Sequence, residues 1–411
     1  MNSELITSLK TFHSDFNLLG RPQASLLEMP QPLLVYLLSI LRNDTPLPCP
    51  DASKPDWSSF ISELSIHGLI PLLYMKIAQS PEAYHPPNHI KEKFKEAFLK
   101  NNLAYQIYLR QLREVLEAFT QADVEVIVLK GLALAWSVYP DFAARPFGDI
   151  DILVKPQKFI LARKLLFELG YRNRFKRFEI YKDISKAEEF FHVTNRKRPL
   201  TIDLHWNLFH HFGIERNGWT IDLFHQKEPV KVPGISFFTL DPVDAFIHAA
   251  VHLTLNHDEG IRLIWVADLG YLTRKLNETD GWPLLQRNIV ESKTIAVVRH
   301  ALNAAQLWFN VQIPDNFLSY LSKFETNDAE RMEIDYAIGR ITSNIRFGGY
   351  FKALRETPNK LKFVVQFIFP APEYVRIAYP PSKPWMLPLS YCTRWVHWLR
   401  ELTLFIIYRV K

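Results

Sequence analysis

Residues 126–156 read VIVLKGLALAWSVYPDFAARPFGDIDILVKP, and no other stretch narrows the choice of fold as much. A β-branched apolar run ends in Lys130-Gly131, a helix-forming segment follows, and a second apolar run opens with Asp149 and Asp151. Side chains of a strand alternate faces, so Ile150, Ile152 and Val154 point one way and the two aspartates the other. The apolar side is expected to face a core, which leaves two carboxylates about 7 Å apart along the opposite side. TIDLHWNL repeats the arrangement, with Ile202, Leu204 and Trp206 on one face and Thr201, Asp203 and His205 on the other. Neighbouring strands lie about 4.8 Å apart, so pairing these two segments brings three acids to one patch. Their repulsion pushes at least one pKa upward, and divalent cations relieve it; oxygen ligands of this type suit Mg²⁺ or Mn²⁺ rather than zinc.

Three carboxylates holding two such ions are one solution for in-line phosphoryl or nucleotidyl displacement. The Lys-Gly turn offers a phosphate site to match. Gly131 is expected to let a phosphate approach the backbone where the helix GLALAWSVY presents free N–H groups and the positive end of its dipole. Lys130 stands ready for a β- or γ-phosphate, and Arg145 for a further oxygen, although Asp141 and Asp149 could equally take Arg145 into a structural ion pair. His205, beside Asp203, is a candidate for touching substrate or tuning the metal shell, with a structural hydrogen bond as its alternative.

The rest of the chain divides around this region into an α+β arrangement, a small mixed sheet flanked by helical units. Residues 1–123 read as helical, most clearly in HIKEKFKEAFLKNNLAYQIYLRQLREVLEAFTQAD, where apolar residues recur three and four apart without Pro or Gly. Residues 124–240 change to short strand-like runs, expected to form four or five strands, with EFFHVTN and LTIDLHWNL as a hairpin and PQKFILARKLLFELG as a helix capped by Gly170. Residues 241–411 return to helix after Asp241-Pro242, a favourable helix start.

Composition removes several classes of function. With 48% apolar and 22% charged residues the chain has the balance of a globular protein rather than a disordered one. The net charge of +6 is a mild excess over 49 basic and 43 acidic side chains, too diffuse to argue for nucleic acid by itself. Two distant cysteines, Cys49 and Cys392, give neither a disulfide framework nor a cysteine-zinc site, and they suit a reducing cytoplasm. The amino terminus lacks a signal-peptide pattern, and the most apolar stretches fall short of the roughly 20 residues of a transmembrane segment.

The order Leu-Lys-Gly, then Arg, then Asp-Ile-Asp-Ile-Leu-Val, then Ile-Asp-Leu-His-Trp resembles the uncharacterised nucleotidyltransferase family of the DNA polymerase β-like superfamily. The resemblance covers about Leu129 to Trp308. It implies transfer of a nucleoside monophosphate from an NTP, ATP by first choice, to an acceptor that is a small molecule, peptide or protein, with RNA ranked behind them. It also implies that Asp149 and Asp151 form the metal-binding pair, that Asp203 is the third catalytic carboxylate, and that residues 124–240 are the catalytic domain. Lys130, Gly131, Arg145 and His205 then fall on the nucleotide side. A catalytically silent nucleotide- or protein-binding module on the same fold is the alternative.

Weaker signals sit elsewhere. His248 and His252 have the i, i+4 spacing of a zinc site, but Ala249 stands where HExxH needs its glutamate, so helix packing is the preferred reading. His192 lies in the adjoining strand. Arg262 and Asp268 either pair with each other or reach the nucleotide across a cleft. The basic segments Tyr171–Phe178 and NRKRP suggest RNA or a solvated hairpin tip, and TRWVHWLRELTLFIIYRV reads as a closing amphipathic helix.

Overall fold

The computed structural model describes residues 29–42, 47–51, 53–173, 187–192, 201–209, 219–255, 262–326 and 383–396, with Arg331, Ile334, Phe369 and Val375. NRKRP, residues 174–178 of the basic segment and most of the closing helix lie outside these.

Among the described residues four helices lead in: α1 (Gln31–Arg42), α2 (Lys54–Ile66), α3 (Ile70–Ala78) and α4 (Asn88–Gln121). Ser53 and Asp56 bond each other's backbone N–H groups in a capping box, which satisfies donors that the first turn of α2 leaves open. The 34-residue α4 follows the uninterrupted periodicity of its sequence. Its two halves serve different cores: Ile90 and Phe94 pack with the other leading helices, whereas Tyr105, Leu112 and Phe119 pack on the sheet.

The chain then enters the sheet through β1 (Val126–Leu129), α5 (Lys130–Ser137) and β2 (Asp149–Val154). It continues with α6 (Phe159–Glu168), β3 (Tyr171–Asn173), β4 (Ala187–His192), β5 (Thr201–His205) and α7 (Trp219–Gln226), and closes with β6 (Glu228–Val232) and β7 (Ile235–Thr239). Gly170, at a φ of 91°, ends α6 as its sequence position predicts. The strand order is β3-β4-β5-β2-β1-β7-β6, a mixed sheet in which β2 runs parallel to β5 and antiparallel to β1. The expected hairpin of β4 with β5 forms, antiparallel.

Among the described residues seven strands replace the four or five expected from the sequence. The hairpin β6–β7 accounts for the difference; it turns at Pro233-Gly234, with Gly234 at a φ of 78°, and docks β7 parallel to β1. Pro229 weakens the strand signal of β6, yet β6 is an edge strand, where a proline's missing donor is tolerated.

Both faces of the sheet are covered. Val126, Val128, Ile150, Ile152, Ile202 and Leu204 face α4 and α6. Ile127, Leu129 and Leu153 point the other way, into a core shared with α8 (Pro242–Leu255), α9 (Leu263–Thr279), α10 (Trp282–Ser292), α11 (Ile295–Phe309) and α12 (Asp315–Ser322). The face that carries the acids is therefore apolar along part of its length. Burying one such side chain fully, Phe60, Phe119 or Leu153, stabilises the fold by about 1.5–3 kcal/mol.

The leading and trailing helices meet directly. His67, in the bend between α2 and α3, accepts from Leu263 N–H through Nδ1 and from Ile264 N–H through its carbonyl, which caps the start of α9. Asp241 caps α8 in the same way, accepting from Val243 N–H at 2.9 Å. Among the described residues no single helix is long and apolar enough to cross a membrane.

Candidate active site

Strand register decides which acids meet. In the parallel pair, Asp149 stands opposite Thr201, Asp151 opposite Asp203 and Leu153 opposite His205, so all three aspartates and His205 share one face. On the other side of β5, Glu189 of β4 lies opposite Asp203 and adds a fourth carboxylate to that face. The sequence reading missed Glu189, although strict alternation in AEEFFH separates it from Glu188, which turns to the opposite face and binds Arg163 at 3.0 Å.

Lys130 reaches this patch through an unusual backbone. Its φ of 46° lies in the left-handed region, which costs a side-chain-bearing residue about 1–3 kcal/mol and occurs preferentially at functional positions. The ammonium Nζ donates to Asp151 Oδ1 at 2.6 Å. His205 Nε2 lies 2.9 Å from the same oxygen. Burial opposes the charge on Asp151, but Lys130 and His205 outweigh it and hold its pKa below the ordinary carboxylate range. Burial works against the charge of Lys130 too, and the attraction of Asp151 and Asp149 prevails, raising its pKa. For His205 burial wins and lowers the pKa, which favours the neutral ring.

Asp203 has no such support. Its Oδ1 is buried and has no hydrogen-bond partner among the described residues. Burial first, and the charge of Asp151 second, push its pKa well above the carboxylate range. Asp149 stands at the exposed start of β2, yet its carboxyl is crowded enough that desolvation and Asp151 raise its pKa as well.

These residues fit a divalent cation. Ligand atoms of Asp151, Asp203 and His205 lie within 4.8 Å of one another, and the partnerless oxygen of Asp203 is a ligand position in want of a positive charge. Asp149, assigned to the metal from the sequence, shares the face but lies outside this close trio, in which His205 takes the third place.

Two residues expected on the phosphate side have close protein neighbours. A Cβ on Gly131 would fall 2.6 Å from Phe147 Cβ, so this position has no room for a side chain. Arg145 is buried and forked onto Asp268, with Nε at 3.0 Å from Oδ1 and Nη2 at 2.6 Å from Oδ2, while Nη1 donates to the Pro146 carbonyl. Burial disfavours this guanidinium, but Asp268 more than compensates and raises its pKa. Tyr139 completes the group, its hydroxyl donating to Asp268 Oδ1 at 2.7 Å. Arg145 thus pairs with neither Asp141 nor Asp149, and Asp268 does not pair with Arg262. Arg262 instead donates to the Ile66 carbonyl at 2.9 Å and lies over the Trp265 ring.

The remaining histidines are structural in setting. His248 is buried, with its pKa driven well down by desolvation and then by Lys130, and it packs near Phe209. His252 meets the Trp265 ring edge-on. His192 packs on Tyr171, its Nε2 at 3.2 Å from the Leu169 carbonyl, at a different register level from Asp203. Behind Lys130 a cavity of ≈ 20 Å³, lined in part by Arg145, His248 and Asp268, has room for a water and not for a nucleotide.

A family model described as an uncharacterised nucleotidyltransferase matches residues 53–310. The chain belongs to that family. The match starts well before Leu129, so α2, α3 and α4 are part of the family's common structure and not merely helical neighbours of it. No curated protein matches the chain.

Proposed function

From that membership we propose that the chain transfers a nucleoside monophosphate from an NTP, ATP by first choice, to an acceptor that is a small molecule, peptide or protein. The observation that carries this reading is the direct opposition of Asp151 and Asp203 across two parallel strands, with Asp203 Oδ1 buried and without a hydrogen-bond partner among the described residues. Asp151, Asp203 and His205 would hold a divalent ion, Mg²⁺ or Mn²⁺, with Asp149 at the open edge as the ligand nearest the substrate. Bound there, such ions polarise phosphate oxygens and offset the charge that develops on the attacking and leaving oxygens.

The chain's own groups divide the remaining work. Asp203 receives the acceptor's proton on the carboxylate oxygen that does not hold the ion, as the acceptor oxygen bonds to the α-phosphorus and the bond to pyrophosphate breaks. Lys130 and His205 fix Asp151 Oδ1 in place. Arg262, half-buried and within electrostatic reach of Asp149, supplies positive charge on the approach side. Residues 124–240 carry the chemistry, and the helical units 1–123 and 241–411 wall the cleft and select the acceptor. Free thiols at Cys49 and Cys392 suit a cytoplasmic setting.

The test incubates the protein with Mg²⁺, α-phosphate-labelled NTPs and a pool of candidate acceptors. Label transfer is expected, and Asp151→Ala is expected to reduce it by about a thousandfold, the scale of losing one essential electrostatic group. Equal transfer by the variant removes Asp151 from the mechanism. A second reading, a catalytically silent binding module, draws on one observation: Lys130 and His205 already bond Asp151 Oδ1 without a metal. Calorimetry separates the two, because the enzyme requires Mg²⁺-dependent NTP affinity.

A further inference from the structure

The acid face already holds a positive charge that the chain supplies itself. Lys130 Nζ lies 2.6 Å from Asp151 Oδ1, and the charges of Asp149 and Asp203 act on it as well, so the ammonium sits among all three aspartates. This is not a surface pair: the two side chains are 18% and 3% exposed, and a buried carboxylate deprived of its partner is costly. Glycine would relieve the left-handed backbone at residue 130, where φ is 46°, but it would carry no charge. The strain holds a cation in place. On the same face, Asp203 Oδ1 is buried and without a hydrogen-bond partner among the described residues. Asp151 and Asp203 stand directly opposite each other, so the filled cation position and the open one are neighbours. Centres that hold two divalent ions keep them about 3.5–4 Å apart between shared carboxylates. Here Asp151, the carboxylate placed to be shared, has one oxygen engaged by Lys130 and by His205, whose Nε2 is 2.9 Å away.

We propose that Lys130 stands in for one of the two ions of such a centre, so that the acid cluster holds a single divalent cation, at Asp203, and the ammonium meets the phosphate charge that a second ion would otherwise meet. The proposal rests on the reading of Asp151 and Asp203 as ion ligands. It adds the number of ions to that reading, and the number is measurable without turnover.

The test titrates Mn²⁺ into the full chain, with and without α,β-methylene ATP, and uses electron paramagnetic resonance to count bound ions and detect spin–spin coupling between them. A single bound Mn²⁺ per chain, uncoupled, is expected in both conditions. Lys130→Gln, which keeps a donor beside Asp151 and loses the charge, is expected to admit a second Mn²⁺ coupled to the first, and Lys130→Met to do the same. Asp203→Asn is expected to weaken the single ion by about tenfold or more. Thermal unfolding verifies that each variant is folded, and the count in the unaltered chain needs no variant. A coupled pair in the unaltered chain, in either condition, overturns the proposal and leaves the ion-ligand reading standing. Folded Lys130 variants that never show a coupled pair overturn it too, because the ammonium then excludes nothing. Absence of any saturable ion, or undiminished binding in Asp203→Asn, overturns the proposal and the ion-ligand reading together.

Discussion

Two buried charge clusters lie near each other, and they are built on opposite principles. Around Asp268, three side chains close on themselves: both carboxylate oxygens are taken by Arg145 and Tyr139, and the remaining Arg145 donor finds the Pro146 carbonyl. Around Asp151, several carboxylates share a face with one lysine and one neutral-leaning histidine, and both of those converge on a single oxygen. The first cluster is complete within the chain and ties the sheet's connecting loop to α9. The second leaves Asp203 Oδ1 without a partner among the described residues. Closed clusters of buried charge build structure; an open one is where a ligand of opposite charge gains most.

The contrast can be broken most forcefully at Asp268. Asp268→Ala leaves Arg145 buried and unpaired, and it is expected to destabilise the fold by about 3–5 kcal/mol in urea unfolding. A loss below about 1 kcal/mol would mean that water already shields this pair. Removal of the open cluster's charge should act in the other direction: Asp203→Asn is expected to stabilise the metal-free protein by about 1–2 kcal/mol, the usual gain at a strained functional position, while abolishing any rise in Tm on adding Mg²⁺.

A pH series sharpens the same point. Burial and Asp151 raise the Asp203 carboxyl to about 8, so between an unfolded value near 3.9 and that pH the folded state binds the extra proton. Its contribution to metal-free stability is fully present below the unfolded pKa and is lost as pH rises through the folded one. Asp203→Asn should flatten this decline, and an unchanged slope would place the titration elsewhere. The smallest effect belongs to Tyr139→Phe, which removes one of three bonds to Asp268 and leaves the arginine fork; about 1 kcal/mol is expected in thermal unfolding.

What could be read from the sequence was local or periodic. Alternation put Asp149, Asp151, Asp203 and His205 on one face, because a strand's period is short and each acid was bracketed by apolar residues. Pairing of β2 with β5 could be supposed but not demonstrated, and it is the register that sets Asp151 opposite Asp203. The partner of Arg145 was illegible: Asp268 lies on a helix of another unit, and the two nearby acids offered more obvious matches. The close approach of Phe147 to Gly131 was equally hidden, because nothing in the sequence fixes where Phe147 turns. Pro233-Gly234 did carry a legible turn signal, which the proline in β6 obscured.

The parallel register of β2 and β5 sets a rule for how this protein can vary. A single residue gained or lost within β5 ahead of Asp203 would rotate that aspartate to the reverse of the sheet, among Ile150 and Phe190, and present a hydrocarbon in its place. Variation in this strand is therefore tolerable only in steps of two.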